Sequence, residues 1–304
     1  LCEAKLFVKG AGRLKILGYC ALIDFAGETA SVAAVFGTLR KWRRRRVDRL
    51  PFPANWLRIL RERVPYYRLL SDDERAQMQK LIRLFLAEKT FEGCGGLEMT
   101  DEIRVTIAAQ ACILLLNREH DYYAGLHSIL VYPSSYQAPS KFVDPAGVVH
   151  EGDESRLGEA WLRGAVILSW DDVRRDSGDF QDGHNVTFHE FAHQLDQQDG
   201  TFDGAPLLEK RAHYRSWARV LMKEYRALTE AAERGQKTLL DQYGATDPAE
   251  FFAVITEAFF ERPKALKEKH PELYDELRKF FHQDPLARLE TAHRRAERPT
   301  PNWE

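Results

Sequence analysis

Cysteine is scarce: 304 residues contain four, Cys2, Cys20, Cys94 and Cys112. None stands in C-x-x-C spacing, which excludes a thiolate metal site of the zinc-finger kind and gives no disulfide frame; they read as reduced, structural thiols of a cytoplasmic protein. Charge of one sign is missing as well, since 44 Lys and Arg face 46 Asp and Glu for a formal net charge of −2. A nucleic-acid-binding domain carries a basic excess, so no direct nucleic-acid contact is expected. No run of about eighteen apolar residues occurs, so no membrane span is expected. The weakly apolar stretch Ile16 to Phe36 carries Asp24 and Glu28 and is followed, not preceded, by the basic run Lys41 to Arg46, the reverse of a signal peptide. Internal repeats and low-complexity tracts are absent too.

The length admits one large or two modest domains with an ample core. We expect residues 1–46 to be an N-terminal extension that is disordered or not native, with a start near Val35 as an open alternative because the chain opens on Leu1. Within it Arg43 to Arg46 read as a solvated, electropositive run. Residues 47–290 are expected to form the main domain and 291–304 a C-terminal tail.

From Leu50 the pattern becomes regular. Ser71 and Glu74 make a capping box ahead of Met78, Leu81, Ile82, Phe85 and Leu86 at helical spacing. The glycines from Gly93 to Gly96 break that element, and Thr100 caps a second helix through Ile103, Ile107, Ala111 and Leu114. Two β-rich runs follow, Ser128 to Tyr132 and Ala165 to Trp170. The second is either an edge strand able to bind a substrate backbone or an ordinary core strand. The long 134–160 stretch just ahead of it is placed to autoinhibit. Further helices are expected from Asn185 to Leu195, Leu208 to Glu233, after Asp247-Pro248, and from Pro271 to Leu286. The sum is an α+β fold, mostly helical with a small mixed sheet.

What is present, against this background, is His189-Glu190-Phe191-Ala192-His193, an H-E-x-x-H motif. Residues i and i+4 share one helix face, so His189 and His193 can both reach a single tetrahedral Zn²⁺. Glu190 then lies beside the metal, placed to take a proton from a metal-bound water. Two histidines hold a catalytic zinc poorly, and a third protein ligand is required. Asp199, six residues past His193, is one candidate, although Asp199-Gly200 also reads as a turn pair. Glu250 is the better one. It stands in the first turn of the helix opened by Asp247-Pro248 and leads a run of aromatics, Glu250-Phe251-Phe252, that would bury it, and a buried carboxylate needs a partner such as a metal. Tyr243 is either a donor to the oxyanion of a tetrahedral intermediate or a packing residue. Glu257, two turns below Glu250, and Asp196, nearly one turn past His193, either orient a ligand histidine or are ordinary acids.

The segments H-E-F-A-H-Q-L-D at 189–196, D-G-T-F-D-G-A-P at 199–206 and Y-G-A-T-D-P-A-E-F-F-A-V at 243–254 resemble those of the Mlc titration factor A family of bacterial cytoplasmic zinc metallopeptidases. The resemblance runs from about Pro51 to Leu286. It implies a zincin-like core holding one Zn²⁺ through His189, His193 and Glu250, with Glu190 as catalytic base and Tyr243 as oxyanion donor. A Tyr seven residues before the ligand Glu also resembles the catalytic domain of anthrax lethal factor. For activity the family implies aminopeptidase-like cleavage of a peptide or protein substrate, and for partners an Mlc-like transcriptional repressor tied to sugar uptake. The rival expectation is a non-catalytic, zinc-stabilised protein that sequesters a transcription regulator.

Overall fold

The computed structural model describes residues 42–47, 50–118, 121–134 and 164–296, together with the backbone of short strands at 8–9, 13–14, 136–137, 140–143, 149–152, 155–156 and 158–161. The chain divides into a unit of residues 1–50 and a unit of residues 51–304, and everything below concerns the second. The proposed start near Val35 lies outside the described residues, as do the side chains of 135–160.

Helix α1 (Ala54–Arg63) leads to α2 (Asp72–Glu88), whose start is fixed as the sequence predicts. Ser71 Oγ accepts from the Glu74 amide, and the Glu74 carboxylate accepts from the Ser71 amide. Strand β1 (Thr90–Gly93) follows directly, then α3 (Asp101–Ile113), with Thr100 Oγ1 accepting from the Ile103 amide. Almost all of α3 is buried, which makes it a central rather than a surface helix.

Strand β2 (Ser128–Tyr132) pairs in parallel with β1 on one side and β4 (Ala165–Ser169) on the other. A fourth strand, β3 (Gly158–Trp161), runs antiparallel to β4 in the register Ala165 to Trp161 and Leu168 to Gly158. The sheet is therefore mixed and small, as expected, but β4 is an inner strand and not the edge. The two edges belong to β1 and β3. Gly158-Glu159-Ala160-Trp161 lacks the β-branched alternation that marks a half-buried strand, so local pattern does not announce it. Ile129, Val131, Val166 and Leu168 turn one face of the sheet into the core.

Helix α4 (Trp170–Gly178) starts where β4 ends, and α5 (Val186–Asp196) follows it with Asn185 as N-cap. After an irregular loop come α6 (Arg211–Glu233), α7 (Pro248–Glu261), α8 (Pro263–Lys269), α9 (Pro271–Phe281) and α10 (Pro285–Ala296). The segment expected as one helix to Leu286 is two, because His282 turns left-handed at φ 52° and closes α9. Helix α10 also reaches into the expected tail. Arg288 ties it to Glu74 and, at 2.7 Å, to Tyr66 Oη. Among the described residues no helix is long and apolar enough to cross a membrane.

The core is aromatic around the two central helices α5 and α7. Phe191 packs on Tyr123 and Phe85 (ring centroids 4.9 and 5.7 Å), Phe188 on Phe260 (5.3 Å), and Phe252 on Trp217 and Phe280. Each such ring contributes roughly 1.5–3 kcal/mol by leaving water. Of these contacts Phe188–Phe260 joins α5 to α7 directly.

Candidate metal centre

Helix α5 places the H-E-x-x-H residues at the heart of the molecule. Asn185 organises its start three ways: Oδ1 accepts from the Phe188 amide, Nδ2 donates to Glu261 Oε1 at 3.1 Å, and its own amide donates to Glu257 Oε2 at 2.6 Å. The next amide, Val186, donates to Asp176 Oδ2 on α4 at 2.9 Å. Carboxylates at a helix N-terminus meet the positive end of its dipole, so this start is held electrostatically as well as sterically.

Helix α7 answers from the facing side. Asp247 caps it, Oδ1 accepting from the amides of Ala249 and Glu250, and Pro248 occupies the first position. Glu250 Oε2 lies 2.9 Å from His189 Nε2 and 3.4 Å from His193 Nε2. One donor atom from each of the three residues falls within 4.8 Å of the other two. A tetrahedral ion about 2.1 Å from each donor would separate them by about 3.4 Å, so the cluster has metal-ligand dimensions. Glu250 is thus brought to the histidines. Asp199 is not: it is exposed, and its Oδ1 accepts from the Thr201 amide and hydroxyl in a local turn.

Glu257 is buried and reaches His189 Nδ1 at 2.8 Å. With Nδ1 donating to that carboxylate, Nε2 presents its lone pair to the site, the usual arrangement of a ligand histidine. Burial alone would disfavour a charged His189, yet the hydrogen bonds to Glu250 and Glu257 push its pKa well above the usual value. Burial pushes His193 down. For Glu250 burial works upward, but the two imidazoles outweigh it and hold the carboxyl down at about 2. The pocket thus asks for positive charge at the point where the three donors meet, which a divalent ion supplies. We expect Glu257→Gln to weaken metal affinity by about 10–100-fold without unfolding the chain, as metal-buffered competition titrations would measure.

Glu190 is not among the converging donors. It is 3% exposed, and its Oε2 has no hydrogen-bond partner among the described residues. Burial pushes its carboxyl up to about 8; His189 pulls it down, and Glu250 and Glu257 push it further up. Tyr243 projects from a single helical turn, Gln242–Ala245, ahead of α7; it is 55% exposed, with its ring 6.0 Å from that of His189.

Three residues that the sequence did not single out also shape the site. Glu261 is buried, with burial raising its carboxyl to about 10, and it secures Asn185. A readable signal existed: Glu250, Glu257 and Glu261 stand at intervals of seven and four, on one face of an otherwise apolar helix. Asn185 was readable as a cap but not as a bridge. Phe202, in the loop after α5, lays its ring 4.9 Å from that of His193.

That loop is pinned from below. Asp196 is fully buried and accepts from the Gly204 amide at 2.9 Å; burial raises its carboxyl to about 6. It therefore holds the loop and does not orient a ligand. Gly204 has φ 73°, and a Cβ there would lie 2.1 Å from the Pro248 carbonyl oxygen, so only glycine lets the loop close on the start of α7.

The glucose-regulated metallo-peptidase M90 family model matches residues 39–282. An uncharacterized protein of Synechocystis sp. is 44% identical over 247 residues, 81% of this chain and 90% of that protein. The protein named Mlc titration factor A from Pectobacterium atrosepticum is 34% identical over 235 residues, 75% of this chain and 86% of the relative. Its namesake from Edwardsiella ictaluri is 34% identical over 229 residues, 74% and 87% of the two chains.

Proposed function

The chain belongs to the glucose-regulated metallo-peptidase M90 family, and from that membership, which implies a bound metal ion, we propose that it is a cytoplasmic zinc-dependent peptidase with aminopeptidase-like preference. The observation that carries this reading is the meeting of His189, His193 and Glu250 beside a buried, unpartnered Glu190. Two imidazoles and one carboxylate are the donor set of catalytic zinc, which leaves a fourth position for water. When bound, zinc supplies Lewis acidity and a water of lowered pKa.

The protein residues do the rest. Glu190, its carboxyl poised near neutrality, takes a proton from the attacking water and returns it to the leaving amine. His189 is kept in one tautomer by Glu257. Tyr243 stands at the rim as donor to the oxyanion that forms at the scissile carbonyl. We expect Tyr243→Phe to cut kcat by about 10²–10³ while KM changes little, in steady-state assays of aminoacyl and short peptide substrates. An unchanged kcat would return Tyr243 to a packing role.

The function is tested by measuring metal content and hydrolysis of a fluorogenic aminoacyl and peptide panel on one preparation. Stoichiometric zinc with cleavage supports the peptidase, and the panel gives its end preference. Stoichiometric zinc without cleavage of any member overturns it in favour of a zinc-stabilised binding protein. The name of the relatives, Mlc titration factor A, supports a repressor of the Mlc type as a protein partner; co-purification of such a repressor with the chain would test that part separately.

A further inference from the structure

Away from the metal donors, two buried N–H groups, on residues that line one cavity, have no acceptor among the described residues. Trp217 on α6 is 3% exposed, and its Nε1 has no hydrogen-bond partner among the described residues; Arg118, past the end of α3, has a buried Nη1 in the same condition. Both residues line a chamber with about 20 Å³ open to a water-sized sphere, at the end of α9. An open groove of about 730 Å³ shares Arg118, Glu209 and His282 with the chamber and adds Gln77, Asn117 and Lys210. Buried donors are almost always satisfied, so two unsatisfied ones in one small cavity mark a place for an acceptor from outside the chain.

The charges identify the acceptor. Glu209 is paired with His282 at 3.1 Å, and Glu276 is paired with Lys279 at 2.7 Å and accepts from Ser216 Oγ at 3.1 Å. Both acids of the chamber are thus engaged, while Arg118 has no ion pair among the described residues. Its guanidinium lies over the Phe280 ring at 4.1 Å, which fixes the plane of the fork. A fixed fork with a spare N–H is suited to a planar or tetrahedral oxyanion. Burial lowers the Arg118 pKa, with Tyr123, Glu209 and Asp121 pulling it back, so an added negative charge would relieve a desolvated cation.

We propose that Arg118 and Trp217 form the floor of an anion-binding site that takes a carboxylate or phosphate group, the rest of the ligand lying in the groove beside Asn117 and Lys210. The chamber has room for about one water-sized atom, so a single oxygen of the oxyanion enters it and the rest of the group lies in the groove. The site adjoins the catalytic region through the chain itself: Leu207 to Lys210, which line it, continue the loop that carries Phe202 over His193. Nothing in the proposal requires the metal reading.

The test is calorimetric titration of the metal-loaded full chain with inorganic phosphate and, separately, with succinate. We expect saturable binding of at least one, weakened tenfold or more in Arg118→Met and several-fold in Trp217→Phe, which keeps a six-membered aromatic ring and loses the Nε1 donor with the five-membered ring that carries it. Whichever probe binds identifies the oxyanion class. Peptide hydrolysis without added anion is expected to stay at the wild-type rate in both variants. Absence of saturable binding by either probe overturns the proposal. So does equal binding by wild type and Arg118→Met, because the anion would then sit on the metal. If Arg118→Met fails to fold, Trp217→Phe and Arg118→Lys decide by the same comparison.

Discussion

Glu190→Gln is expected to lower kcat by about 10²–10⁴-fold while metal content stays at the wild-type level. The side chain is buried, stands outside the converging donors and leaves Oε2 unpartnered, so an isosteric amide fits the same space and disturbs no metal contact. What it removes is a group able to hold a proton near neutral pH, since burial has raised the carboxyl to about 8. An amide can neither accept the proton of the attacking water nor deliver it to the leaving amine. Metal analysis and single-turnover hydrolysis on the same sample check both halves. Wild-type rates in the variant would remove Glu190 from the chemistry, and loss of metal would make it a structural support of the centre.

The second large effect is expected at the far side of the site. Glu250→Ala should lose its metal on dialysis against a weak chelator and show no measurable hydrolysis, because His189 and His193 alone make a poor zinc site. Asp199→Ala, at the exposed turn, should keep both metal and activity. The pair separates the two third-ligand candidates that the sequence offers. Full metal occupancy in Glu250→Ala together with loss in Asp199→Ala would reverse the assignment of the ligand set.

The helices, their caps and the histidine pair were legible because each rests on short-range rules. A capping box at Ser71 and Glu74, a Pro at the first position after Asp247, and two histidines one turn apart are all written within a few residues. Glu250 was reachable through burial, as a carboxylate leading an aromatic run. The misses share a different cause. Gly158–Trp161 becomes a sheet edge through its pairing with β4, and nothing in those four residues carries the information. For Asp196 the spacing left a histidine's partner and an ordinary acid both open, and only Gly204, closing on it from a loop that meets Pro248, decides between them. The break at His282 is set by a single left-handed residue that is not glycine.

The three donors do not come from one stretch of chain. Glu250 meets His189 across 61 positions, Glu257 meets it across 68, and Glu261 meets Asn185 across 76. Closing a segment of that length costs entropy that only the packing of α5 on α7 repays. During synthesis, then, a nascent chain exposes both histidines and Glu190 well before the third donor has been translated. A chain made in that order lacks the Glu250 donor until α7 exists, and any product truncated ahead of α7 carries the whole H-E-x-x-H motif without the third member of the His189, His193 and Glu250 cluster.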